Sequence, residues 1–218
     1  MKRQLAWRGG IYLSGMMIIA MGITFCTKSS LGISPMTSAP YALANSLDAS
    51  FSTTVLAVYT VMVFVQMAIK GKNCGWHYLL QIPSSMLFTS FLRWFETLVS
   101  IPCDTLPERL LVSLIGSILN GIGFAMMVNM QLVPNPPDGL IFVVSEVTKK
   151  DLGFWKNVFD ITFVILSGVI DLTTGGKLVS IGVGTAIAMI VTGRMVALTN
   201  RLFKEKMLRH AGMPVPAH

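Results

Sequence analysis

Two acidic residues stand out, one inside hydrophobic sequence and one at a proline-broken helix start. Asp160 lies in Val158-Phe159-Asp160-Ile161-Thr162-Phe163-Val164, about 10 Å into an apolar helix at 1.5 Å per residue. A carboxylate there costs about 2.5–3.5 kcal/mol on insertion scales, so it calls for a partner or a task. The task could be coupling to a proton or sodium ion, or acting as counter-charge to a solute. The structural alternative is a salt bridge to Lys156, one turn earlier, or a hydrogen bond to Asn157. Asp138 sits in Asn135-Pro136-Pro137-Asp138-Gly139, which opens a helix too short to cross a bilayer. Asn is a favoured N-cap, and Pro at the first helical position gives up an N–H that would be unpaired anyway.

The same punctuation occurs 99 residues earlier, where Leu31-Gly32-Ile33-Ser34-Pro35 precedes a second short apolar run. Pro35, Pro134, Pro136 and Gly139 mark the helix breaks. If both short helices dip inward, two N-termini meet, each with unpaired N–H groups and about half a positive charge. Ser34 and Thr37 would line one mouth, and Asn129, Asn135 and Asp138 the other. That set suits a small polar or anionic solute, with Asp160 coupling an ion. Gln81, beside Pro83 and Ser84-Ser85, could face the same space, as could Asn120. The bland reading makes Ser34 and Asn135 ordinary caps on helices lying flat at the interface.

Other chemistries find no residues. Cys26, Cys74 and Cys103 are odd in number and lack metal-site spacing, so free thiols are expected. His77, His210 and His218 are scattered, and no HExxH, Walker or dinucleotide-binding pattern is present. No metal, cofactor or enzymatic activity is expected. The net charge of +7 does not imply nucleic acid, because the basic residues cluster at the ends of apolar segments.

The elements that must hold these residues are membrane helices. The chain of 218 residues is 53% hydrophobic and 12% charged, with a mean hydropathy of +0.66, against about 25% charged in soluble domains. An all-α transmembrane bundle follows. A span needs about 20 apolar residues, which predicts six: 9–27, 52–69, 77–99, 109–128, 153–171 and 178–199. Half-length helices are expected at 35–47 and 137–149. Lys2, Arg3, Arg8, Lys70, Lys72, Lys149, Lys150 and the basic residues after 200 then share one face. By the positive-inside rule both termini are cytoplasmic, in a bacterial inner membrane. An eight-span alternative, with the half-helices crossing, would place Lys70 and Lys72 outside.

Three spans per half require the halves to run in opposite senses: repeat one over 1–100, repeat two over 101–203, and a basic tail over 204–218. At an offset of 99, Gly22/Gly121, Phe25/Phe124 and Pro35/Pro134 coincide; past the half-helix the offset grows by one or two, setting Tyr59 opposite Asp160. Inverted-repeat transporters bind their solutes between such discontinuous helices.

Leu31-Gly32-Ile33-Ser34-Pro35, the segment from Pro134 to Leu140, and Gly153-Phe154-Trp155-Lys156-Asn157-Val158-Phe159-Asp160 resemble the YczE/YitT-type family of bacterial membrane proteins. The resemblance implies a polytopic inner-membrane protein of unsettled biochemical role, with Pro35, Asp138, Gly139 and Asp160 at recurrent positions. Arg93 stands where that family often has an acid, and Ile181-Gly182-Val183-Gly184-Thr185 lacks its charged pair.

The expectation is a small ion-coupled secondary carrier in the lipid bilayer, with a homodimer or a membrane partner as a further possibility. The alternatives are a non-transporting membrane regulator or partner subunit, and the substrate-binding subunit of a larger importer. The orientation is open to test with reporters. A fluorescent protein fused after His218 should fluoresce, and alkaline phosphatase fused at Asp104 should be active but at Lys72 silent. The opposite pattern reverses the topology.

Overall fold

A computed structural model describes residues 2–71 and 74–214, with side chains from residue 4 onward. Lys72 and His218, and the side chains of Lys2 and Arg3, lie outside the described residues. Among these residues eight α-helices follow one another: α1 (Lys2–Ser29), α2 (Pro35–Ser46), α3 (Phe51–Lys70), α4 (Gln81–Leu98), α5 (Leu106–Met130), α6 (Pro136–Thr148), α7 (Leu152–Thr174) and α8 (Val183–Ala211). No strand occurs among the described residues. Five helices, α1, α3, α5, α7 and α8, are long and apolar enough to cross a membrane.

The third expected span, 77–99, is divided between a 3-10 turn, Trp76–Leu80, and the 18-residue α4. Ser84, Ser85, Arg93 and Glu96 dilute its hydropathy. The stretch 178–182, expected to begin the last span, is instead a loop. α8 in turn runs on to Ala211, through most of what the sequence left as a tail. The short helices lie within one residue of expectation.

Local chemistry sets these boundaries. Asp151 accepts from the Phe154 N–H at 3.1 Å, and Ser50 from that of Thr53 at 3.3 Å, N-caps that satisfy donors the helix cannot. The Glu108 carboxylate accepts from the N–H groups of Asp104 and Thr105 at 3.0 and 3.1 Å. Left-handed residues stop four helices: Ser30 after α1, Asp48 after α2, Gln131 after α5 and Lys149 after α6. These form two pairs, each 101 residues apart.

The 101-residue spacing recurs in the packing. α1 and α5 cross with their backbones in contact. A Cβ on Gly15 would lie 2.8 Å from the Gly123 carbonyl oxygen, and one on Gly22 2.7 Å from that of Gly116. A shift of 101 turns Gly15 into Gly116 and Gly22 into Gly123, exchanging the two contacts. Pro35 and Pro136, the first residues of α2 and α6, have the same separation, and their N-caps match in conformation: Ser34 at φ −56, ψ 141 and Asn135 at φ −59, ψ 143. The sequence set Pro35 against Pro134, but the proline that starts α6 as Pro35 starts α2 is Pro136. Pro134 lies in the connection before the helix, and Gly121 packs on Thr192 and Met195 of α8 instead of sharing the Gly22 crossing.

Around that crossing, α4 packs on α1 and α8 on α5; α2 lies along α7, and α6 along α3. α2 begins inside, with Ser38 Oγ donating to the Phe163 carbonyl at 3.3 Å. α6 begins inside at Gln66 and ends with Glu146 paired to Lys70 at 2.7 Å. The core is apolar, with Met16, Val55, Phe88, Leu92 and Met130 buried. Val61, Phe64, Ile161 and Ile165 project outward instead, more than half exposed, as a lipid-facing surface requires. Arg93 and Glu96, three apart on α4, form no ion pair with each other; Glu96 faces Ser52 at the start of α3.

The crossing tolerates no side chain. Gly22→Leu should cost about 2 kcal/mol by overpacking, whereas Gly10→Leu, with nothing within 4 Å of its Cβ, should be neutral. Thermal unfolding of the purified variants measures the difference.

Candidate functional site

The N-termini of α2 and α6 open into one cavity of ≈390 Å³. Ser34, Pro35 and Thr37 line it from α2's end, and Asn135, Pro137 and Asp138 from α6's end. Neither Ser34 nor Asn135 makes a side-chain cap hydrogen bond. Both are thus free to face the cavity, and neither acts as the ordinary cap that the bland reading required. Ile19, Ile23 and Phe124, from the α1–α5 crossing, supply an apolar wall.

Asp160 enters from α7, 9% exposed. Its Oδ2 accepts from Lys156 Nζ at 3.0 Å, the salt bridge that the sequence offered as a structural alternative; Asn157 makes no bond to it. Its Oδ1 is buried without a hydrogen-bond partner. Asp138 lies within electrostatic reach of both Lys156 and Asp160, yet makes no hydrogen bond or ion pair among the described residues. Tyr59 comes from α3, 4% exposed and stacked at 6.2 Å on Phe88. Its spacing from Asp160 is 101 residues, so the spacing that aligns the helix starts also brings these two side chains into the cavity.

Of the residues singled out by sequence, Ser34, Thr37, Asn135, Asp138 and Asp160 come together, with Asn120. Two do not. Asn129 donates from Nδ2 to Asn200 Oδ1 at 2.7 Å, where it ties α5 to α8. Gln81 forms a reciprocal amide pair with Gln66, at 2.9 and 3.1 Å, and Gln66 Nε2 also donates to the Pro136 carbonyl at 3.0 Å. That pair borders a smaller cavity of ≈190 Å³ reached by His77 and Glu146. Gly139 touches this pair, since a Cβ there would lie 2.7 Å from Gln66 Oε1.

Sequence reasoning passed over Gln66. A lone amide in Phe64-Val65-Gln66-Met67 was as clear a signal as Gln81. Asp171, which the sequence placed only among the acids of the outer face, has a carboxylate that accepts from the N–H groups of Val179 and Ser180 at 2.9 and 2.8 Å and from Ser180 Oγ at 3.1 Å. This holds the α7–α8 loop against the first break, where Ile33 N–H donates to the Ser180 carbonyl at 3.2 Å and Gly184 N–H to that of Leu31 at 2.7 Å.

The cavity sets polar groups against apolar ones. It offers carboxylates, one ammonium group, hydroxyls and amides against apolar walls, the lining typical of ligand sites. All three cysteines are free, and no group of three or more acidic, His or Cys side chains among the described residues could hold a metal.

A family model described as a family of unknown function, DUF6198, matches residues 6–201. The chain is 24% identical over 195 residues to the uncharacterized membrane protein YczE of Bacillus subtilis (strain 168), covering 88% of this chain and 85% of that protein. No solved structure matches. The relation to YczE expected from the sequence is thus found, and with the five long apolar helices it makes this a multi-pass membrane protein.

In protein whose native cysteines are replaced by alanine, Asn157→Cys at the cavity should react with a small charged methanethiosulfonate far faster than Ser167→Cys. Ser167 is fully buried between α2 and α7 and bonded to Ser38 at 3.0 Å. Equal rates would place the water-accessible space elsewhere.

Proposed function

The chain belongs to the DUF6198 family, and from its geometry we propose that it is a small ion-coupled secondary carrier of a polar solute, built from two inverted three-span repeats. The observation that carries this reading is the single cavity lined by both half-helix N-termini together with Asp138 and Asp160. Interrupted backbone at membrane depth is tolerated only where protein buries it or a wet cavity receives it. Supporting the repeats are the features 101 residues apart and the interchange of packing partners: α2 on α7 with α6 on α3, and α1 on α4 with α5 on α8. In this reading α4 is the sixth span, its 18 residues giving about 27 Å at 1.5 Å per residue.

One asymmetry supplies a route in and out. α3 packs on α4, whereas α8 packs on α5 and α1 without a comparable seam against α7. The cavity lining includes Lys156 and Asn157 of α7 and Met189, Thr192 and Val196 of α8, so its opening follows the parted pair. Exchanging the conformations of the two repeats would close α7 on α8 and part α3 from α4, carrying the solute across. Ser34, Thr37, Asn135 and Asp138 hold the solute, and Asp160 couples the ion.

A second reading rests on the Lys156–Asp160 ion pair: a membrane regulator or partner subunit in which that pair only locks α7. The two readings separate in proteoliposomes. A carrier moves at least one small polar solute under a proton or sodium gradient, and Asp160→Asn should lower the flux about tenfold or more, as loss of a charge-assisted contact does. Absence of flux across a broad panel, or an unchanged rate in Asp160→Asn, removes the ion-coupled carrier.

A further inference from the structure

The sign of the solute's charge can be read from which atoms in the cavity lack partners. Three charged side chains line it: Asp138, Lys156 and Asp160. Lys156 is already committed to Asp160 Oδ2 at 3.0 Å. What remains is the whole carboxylate of Asp138 and the buried Oδ1 of Asp160, and both are acceptors. Asp138 is half-buried and open to the cavity, whereas Asp160 Oδ1 is buried, and a buried charged acceptor left unmet costs more than a neutral one.

The helix N-termini would ordinarily argue for an anion. Here they are poor in donors. Pro136 and Pro137 occupy the first two positions of α6, so neither has an N–H, and the Gly139 N–H is spent on the Asn135 carbonyl at 2.8 Å. At α2, Pro35 lacks an N–H and the Thr37 N–H returns to the Ser34 carbonyl at 3.0 Å. Asp138 itself stands in the first turn of α6, where an incoming anion would have to sit. It offsets that helix dipole and would repel the anion.

We infer that the cavity takes a small organic cation, a protonated amine whose N–H groups bridge the Asp138 carboxylate and the free oxygen of Asp160. The remainder of the solute lies against Phe124, Ile23 and the face of Tyr59, where an aromatic ring also favours a cation. This keeps the polar solute expected from the sequence but replaces the anionic one with a cation, and it rests on the proposal that this cavity is the solute site. The volume of ≈390 Å³ admits a molecule of amino-acid size with some water.

The test uses two probes of similar size and opposite charge, benzylammonium and benzoate. Each is titrated calorimetrically into the full chain reconstituted in lipid nanodiscs. Benzylammonium should bind and benzoate should not. Asp138→Asn should weaken benzylammonium about tenfold or more, and Asp138→Glu, which keeps the charge, should retain binding. Lys156→Gln removes the competing ammonium and should tighten benzylammonium about threefold or more, an effect that a merely structural role for the lysine would not produce.

Preference for benzoate, binding of neither probe by monodisperse wild-type protein, or weakening by Lys156→Gln overturns the cation assignment. Each of these leaves the carrier proposal to the flux panel, which does not depend on the charge of either probe.

Discussion

A chain interrupted inside an apolar bundle must find hydrogen-bond partners that lipid cannot give, and much of this structure follows from meeting that demand twice. At the first break the chain uses backbone. Ile33 and Leu31 bond to Ser180 and Gly184, and Asp171 holds the loop that supplies those partners. At the second break side chains do the work. Arg8 donates to the Met130 carbonyl at 2.7 Å, Tyr12 to that of Val133 at 2.9 Å, and Gln66 to that of Pro136. The two breaks occupy corresponding places and are satisfied by unrelated chemistry.

Those satisfied breaks let two short helices point their first turns at one space. Their positions depend in turn on the α1–α5 crossing, where four glycines let two backbones touch. Ile19, Ile23 and Phe124 of that crossing form the floor on which the polar residues stand. Bulk at the crossing would therefore move the cavity wall as well as loosen the bundle.

Much of this was legible in the sequence. Pro35, Pro136 and the flanking Ser34 and Asn135 announced the short helices to within a residue, because proline and cap preferences act locally. Asp160 was conspicuous for a thermodynamic reason, since a carboxylate in an apolar helix is costly wherever it points. Direction was not legible. Asn129 and Gln81 are polar residues in apolar helices just as Asn120 is, but their faces meet Asn200 and Gln66, and only packing decides that. Nor was the start of the second short helix legible to the residue, because the segment from Pro134 to Pro137 offers three prolines and only the N-cap geometry shows that Pro136 begins it.

Where α2 meets α7, Ser38 faces Ser167; where α6 meets α3, Gly139 faces Gln66. In the two-repeat reading these are corresponding pairs, each matched in combined bulk though not residue by residue. A bundle assembled from two copies of the first half would press Ser38 onto Gln66 and its partner amide, while two second halves would leave Gly139 and Ser167 with a void between them. On that reading, reciprocal drift would make a duplication hard to undo: each half would be the mould for the other, and neither could return to life as a symmetric pair without changing at this contact.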